Sequence, residues 1–318
     1  MKRISFQWLA AVVVAVVAVS PAWAQDTADA AGGALCEEAC GGCGQTFGDL
    51  FDVCSDNPCG GGLVFQGEAL FFRYHRADGV RVGNLNPGLG IDDVVFDHEA
   101  SPRLTLGWVS NNGLGIRTRY WDYDQSSSGA SSPPDRIDVD TYTIDIELFE
   151  RICLNNCWSL EISGGLRYNE FEELILDQPG TEGFGIRLNA FDAWGGVAGL
   201  EVTRSLGRLG GLYARSRGAI LMDNKFVGNL QPINQVAQVA ILQDTTQGMT
   251  ELALGYEFNR CLNSGALLTF RAGWEWQNWF NYSTSFSEVA QQDLNAGVMG
   301  GPSDVGFAGP TLMVGFEM

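Results

Sequence analysis

The chain has 318 residues, 45% hydrophobic and 11% aromatic, with 38 acidic against 19 basic side chains and 41 glycines. That apolar content excludes a disordered acidic chain. The acidic balance argues against nucleic acid as a partner, because neutralising phosphates needs a basic face.

A helical membrane protein needs apolar runs of about 20 residues. One run comes near that length, at the N-terminus. Lys2 and Arg3 precede an apolar stretch from Leu9 to Val19, Pro21 breaks any helix, and Ala22-Trp23-Ala24 has the small-x-small form of a cleavage site. Residues 1–24 therefore read as a secretory signal peptide cleaved after Ala24. Cleavage removes two bases and no acid, so the formal charge moves from −19 to −21.

Residues 25–62 form a Cys/Gly-rich segment expected in the periplasm. Cys36, Cys40, Cys43, Cys54 and Cys59 crowd it, while Cys153 and Cys157 bracket three residues and Cys261 stands alone. An oxidising compartment favours disulfides among such cysteines, with a zinc knot as the alternative for the N-terminal group. The Cys36-x3-Cys40-x2-Cys43 spacing matches an iron–sulfur motif only superficially, since that chemistry needs a reducing compartment. Cys153 and Cys157 suit a bridge at the base of a hairpin, where facing Cα atoms lie about 5.5 Å apart. No cofactor and no metal is expected.

From residue 63 onward the dominant period is two. Strands are predicted near 63–75, 102–110, 113–123, 137–151, 157–171, 184–205, 210–222, 248–259, 265–280 and 305–318. The pattern is clearest where Tyr142, Ile144, Ile146 and Leu148 oppose Thr141, Thr143, Asp145 and Glu147. It recurs where Leu268, Phe270, Ala272, Trp274 and Trp276 oppose Thr269, Arg271, Gly273, Glu275 and Gln277. These strands are longer than the soluble average of about 5–6 residues, and their apolar faces end in Trp or Tyr. Asn111-Asn112, the Cys153–Cys157 turn, residues 206–209 and residues 260–264 are short connections. The gaps 76–101, 124–136, 172–183, 223–247 and 281–304 are long and polar. Short turns on one side and long loops on the other predict an all-β, transmembrane, antiparallel up-and-down β-barrel over 63–318, with about ten strands and eight or twelve as alternatives. Three segments fit this poorly, one of them residues 210–222, which mix Ala, Ser and Gly on the expected lipid face. Residues 63–75 carry apolar side chains on both faces, and Trp121 and Tyr123 share parity with Arg117 and Arg119, which suggests a position above the membrane rim.

Leu312, Val314, Phe316 and Met318 alternate to the end, as in strands that hand a barrel to its assembly machinery. That machinery and outer-membrane lipid are the expected partners, and the cell outer membrane is the expected location. The order of several segments then looks familiar: Glu68-Ala69-Leu70-Phe71-Phe72-Arg73, Leu114 to Asp122, Leu160 to Tyr168, Phe191 to Glu201, Tyr213 to Gly218, and Gly309-Pro310-Thr311-Leu312. Over 63–318 they resemble the Legionella-type major outer-membrane protein family, in its short planctomycete-like form. The resemblance implies a pore-forming barrel.

The predicted inward side chains are Arg117, Arg119, Asp145, Glu147, Glu161, Arg167, Arg215, Arg217, Glu251, Glu257, Arg271 and Glu275. Both signs are present. One reading is a narrow pore lined by these groups and passing ions or small polar solutes. The alternative is a salt-bridged, plugged, non-conducting barrel that is structural or adhesive and works through its outer loops. A barrel hydrolase is a third reading, resting on His75, on His98 beside Asp97, and on histidine as the usual general base. There is no G-x-S-x-G elbow, and no enzyme activity is expected.

Overall fold

The computed structural model describes residues 62–76, 81–82, 92–93, 96–127, 136–155, 157–177, 185–206, 210–231, 236–262, 266–284 and 302–318. The expected signal peptide and the five N-terminal cysteines lie outside them. The described strands are β1 (Gly62–Arg76), β2 (Arg81–Val82), β3 (Asp92–Asp93), β4 (Glu99–Val109), β5 (Leu114–Ser126), β6 (Arg136–Asn155), β7 (Trp158–Asp177), β8 (Gly185–Ser205), β9 (Gly211–Gln231), β10 (Val236–Cys261), β11 (Leu267–Thr284) and β12 (Pro302–Glu317). β2 and β3 pair as a small ribbon. The other ten close a barrel in which sequence neighbours are antiparallel and β1 returns to β12. Ten strands were expected, and each expected strand overlaps one of these.

Closure is complete at the chain end. The Leu63 amide donates to the Met318 carbonyl at 2.9 Å, and the Met318 amide donates to the Leu63 carbonyl at 3.0 Å. The first tight turn is built as its residues require. The Gly113 amide donates to the Ser110 carbonyl at 3.0 Å, and Gly113 takes φ +87°, a conformation that costs glycine little.

Alternation becomes two environments. Ile144, Ile146, Leu148, Leu166, Leu200, Ile220, Leu252 and Leu254 are exposed on the outer wall, while their chain neighbours are buried inside. Outward rings bound this apolar band. Tyr120, Tyr142, Tyr168 and Trp194 form a ladder across β5 to β8, with centroids 6.3, 5.9 and 4.7 Å apart. Trp108, Trp158 and Phe258 mark the opposite margin. Ten residues separate Trp158 from Tyr168. At a rise of about 3.3 Å per residue and a tilt near 40°, that span matches an apolar band about 25 Å tall.

The outer ends differ from expectation. Residues 172–177, 223–231, 236–247 and 281–284 were expected in long loops and are strand. Above the girdle the alternation inverts, with Asp138, Asp140, Glu170 and Glu172 outward and Ile137, Val139 and Phe171 inward, so the apolar-outward pattern that marks the membrane band stops while the backbone ladder continues. The β9–β10 pairing runs out to Val236 opposite Gln231. Trp121 and Tyr123, which share the parity of Arg117 and Arg119, turn into the barrel at and just beyond the level of Tyr120, 2% and 1% exposed. Apolar residues on both faces of β1 have the same cause, because Leu70, Phe72 and Tyr74 enter the interior while Phe71 faces out.

Gly165 sits on the inner face where the wall bends closely against β6. A Cβ there would overlap the Ile146 carbonyl oxygen, whereas one at the outward Gly196 would meet nothing within 4 Å. Gly165→Val is therefore expected to abolish the fast-migrating folded band on unboiled gels, and Gly196→Val to retain it. Equal behaviour of the two variants would contradict this account of the wall.

Candidate functional site in the barrel interior

The interior is filled in three layers. At the end with short turns, Val64, Val109 and Phe149 form a small apolar floor. The guanidinium carbons of Arg117 and Arg151 lie 5.0 and 5.4 Å from the Phe149 ring centroid and join this floor to the charges above.

The middle layer is a belt of ion pairs that crosses the lumen. Asp145 on β6 accepts from Arg167 Nε at 2.6 Å and Nη2 at 2.8 Å, a bidentate pair. Its Oδ2 also accepts from Arg217 Nη2 of β9 at 2.6 Å. Glu251 on β10 holds both arginines, at 2.6 Å to Arg167 Nη1 and 2.9 Å to Arg217 Nη1. Glu147 accepts from Arg117 Nε at 2.7 Å and also from Arg217. Glu161 accepts from Arg117 Nη1 at 2.5 Å and from Arg151 Nε at 3.2 Å, and Arg151 continues to Glu317 at 2.8 Å.

On the other side, Glu275 accepts from Arg103 Nη2 at 2.6 Å and Arg215 Nη2 at 2.8 Å. Glu68 accepts from the same two arginines at 2.9 and 3.5 Å. Arg271 joins Glu201 at 2.6 Å to Glu257 at 2.5 Å. Most of these contacts link strands that are not neighbours, so they tie the wall together across its diameter.

All twelve predicted inward side chains point into the barrel. Eleven enter this network. Arg119 lies among them, 3% exposed, with no carboxylate partner. Glu68, Arg103, Arg151, Glu201 and Glu317 belong to the belt and were not singled out from sequence. Parity carried a signal for Glu201 and Glu317, which share the inner face of their strands. Arg103 follows Ser101-Pro102, where no alternation is legible.

The outer layer is aromatic. Phe72, Tyr74, Phe96, Trp121, Tyr123, Phe171, Phe191, Trp279, Tyr282 and Phe307 pack with Leu70, Ile137, Val139, Leu221 and Met249. Phe307 lies 5.5 Å from Trp121, 4.9 Å from Tyr123 and 4.9 Å from Trp279, in edge-to-face and tilted contacts. Tyr282 reaches this layer through a bulge. Asn281 has φ +65°, the β11–β12 register shifts between Trp279 and Ser283, and inward parity passes from 279 to 282. Above it, Glu173 accepts from Tyr74 Oη at 2.8 Å, from Asn189 Nδ2 at 3.0 Å and from Arg76, tying β1 to β7 and β8.

The arrangement favours rigidity. Desolvating each ion is costly, and the cost is offset only while every partner is present; removing one partner of a buried pair costs about 3–5 kcal/mol. Asp145 serves two guanidiniums at once. Asp145→Asn is expected to destabilise the lipid-refolded barrel by about that amount, read as a lower denaturant midpoint. An unchanged midpoint would show that the belt carries little of the stability.

His75 and His98, the histidines of the hydrolase reading, are both exposed at the outer end. Nearby, Asp97, Glu99, Asp124, Gln125 and Ser126 line an open cleft of about 350 Å³.

Solved outer-membrane proteins show some similarity. The outer membrane protease OmpT from Escherichia coli is 10% identical, over 80% of this chain and 96% of its own, with a TM-score of 0.43. The outer membrane protein AlkL is 13% identical, over 67% of this chain and 92% of its own, with a TM-score of 0.32. The P. putida toluene transporter TodX is 7% identical, over 83% and 91%, with a TM-score of 0.34. No curated protein matches the chain in sequence. The family model described as Legionella pneumophila major outer membrane protein precursor matches residues 61–318. The chain is thus an outer-membrane β-barrel and belongs to the Legionella major outer membrane protein family.

Proposed function

We propose that this protein is a closed, non-conducting outer-membrane barrel, and that its work is done at its outer face. The supporting observation is the filled cross-section. Leu70, Phe72, Phe171, Trp279 and Tyr282 are all 0% exposed in one aromatic layer, directly above a belt of paired charges. A ten-stranded barrel is near the size whose interior side chains can fill. Outside the membrane band, β7 continues nine residues past Tyr168, about 30 Å along the strand. Asp122, Asp124, Asp138, Asp140, Glu170, Glu172 and Asp192 stand on the outward face of these extensions, so an acidic patch covers β5 to β8 at the outer end.

The second reading is a narrow pore for ions or small polar solutes. What favours it is the belt, whose opposed arginines and acids would impose a transverse field on anything passing. It requires the aromatic layer to move aside. Neither reading uses catalysis, and we assign none. His98 is exposed in the first outer connection, and among the described residues no carboxylate hydrogen-bonds to it to make it a general base.

The proposed partners are outer-membrane lipid around the apolar band and the assembly machinery at β12. The proposed export route is the signal peptide, removed after Ala24. Cys153 and Cys157 are proposed to form a disulfide on the turn between β6 and β7, as an oxidising compartment would favour. Alkylation is expected to label neither until reductant is added.

Planar-bilayer recording of the folded mature chain tests the main reading. Silence is expected from material whose folding is established by heat-modifiable mobility. Reproducible unitary steps would overturn closure and leave the pore.

A further inference from the structure

The belt contains a defect concentrated in one place. Among the described residues, nine arginines enter the interior: Arg76, Arg103, Arg117, Arg119, Arg151, Arg167, Arg215, Arg217 and Arg271. Eight of them contact a carboxylate. Arg119 does not. The reason is local competition. Its cross-strand neighbour on β6 is Asp145, but both oxygens of Asp145 are already held by Arg167 and Arg217. Glu147, one inward position below, is held by Arg117 and Arg217. Arginine cannot relieve the problem by losing its proton.

The surroundings of Arg119 repeat the pattern. On its other side it faces Thr105 of β4, and one inward step above, Trp121 faces Arg103. Each of these four inward positions carries a buried polar atom without a partner: Arg119 Nε and Nη1, Thr105 Oγ1, Arg103 Nε and Trp121 Nε1. They are five of the ten such side-chain atoms among the described residues. Directly opposed cross-strand side chains have Cβ atoms about 4.5–5.5 Å apart, so the four form one contiguous patch. Four of the five atoms are N–H donors with no accepting capacity, and the fifth is a hydroxyl that can donate.

A patch of converging donors, one of them a fixed cation, calls for a ligand that only accepts. Water brings two donors of its own, and only the Thr105 hydroxyl could accept one of them. A halide is a compact ion that accepts from several directions at once. We infer that Arg119, Thr105, Arg103 and Trp121 form an anion site inside the barrel, taking a halide, with chloride as the physiological occupant. Arg119 supplies the charge and two donors, the Thr105 hydroxyl and the Trp121 indole supply neutral donors, and Arg103 keeps its carboxylates while offering Nε. The site stands whether the barrel conducts or not, because it requires only exchange of an ion with solvent.

Bromide is the probe. Crystals of the folded mature chain grown in sodium bromide are expected to show an anomalous peak within hydrogen-bonding distance of Arg119. In solution, the thermal midpoint is expected to rise with bromide or chloride at constant ionic strength against gluconate. Arg119→Met should remove that anion dependence, Arg119→Lys should keep part of it, and Thr105→Val should weaken half-saturation several-fold. If Arg119→Met does not fold, the bromide map and the gluconate comparison on the unmodified chain decide alone. The absence of an anomalous peak, together with equal midpoints in bromide and gluconate, overturns the site. A halide effect that persists in a folded Arg119→Met variant also overturns it.

Discussion

Inside hydrocarbon no water is available to a peptide group, so every backbone donor and acceptor must find a partner within the protein. In this chain the antiparallel ladders between neighbouring strands meet that requirement, and the last two edges are removed by one seam, the pairing of β1 with β12, which ends in the reciprocal bonds between Leu63 and Met318. Once the sheet closes on itself with ten strands, its diameter is set. The interior is then too wide for small residues alone and narrow enough for long side chains to reach across it. The arginines do so: Arg103 on β4 meets Glu275 on β11, and Arg217 on β9 meets Asp145 on β6.

The three interior layers follow from where charge can be stabilised. Paired ions occupy the middle, where the wall is surrounded by lipid and the pairs gain most from each other in a low dielectric. Apolar groups close them off below at Phe149 and above at the Trp121–Trp279–Phe307 cluster. The outer layer resembles the core of a soluble domain turned inside a membrane protein. It gives the wall a second set of contacts independent of the backbone ladder.

Much of this was legible in the chain. Alternation located all ten barrel strands, because in the membrane band one face meets lipid and the other does not. The inward charges on β5, β6, β7, β9, β10 and β11 followed from parity alone. Three features were not legible, each for a physical reason. Strand extension above the girdle loses the apolar-outward signal, since water rather than lipid bathes the outer face there and acids such as Asp138 and Glu172 stand on it. Aromatic residues at inward parity, such as Trp121 and Tyr123, imitate girdle residues, because tryptophan and tyrosine serve both roles. Tyr282 enters the interior only because the bulge at Asn281 swaps faces, and a bulge shifts parity without marking the sequence. Which guanidinium would be left over could not be read at all, since it depends on how Asp145 divides itself among three neighbours across the lumen.

The seam also bears on time. The bonds that close the barrel join residues near 63 to residues near 318, almost the whole mature length apart. Every other barrel pairing joins consecutive strands and can form as a growing meander. Closure is a loop event over the full chain, and it adds ordering entropy that no hairpin demands. It comes last by necessity, after synthesis and export have delivered the final residue. Until then the chain carries two raw edges, at β1 and β12, each able to pair with a stranger.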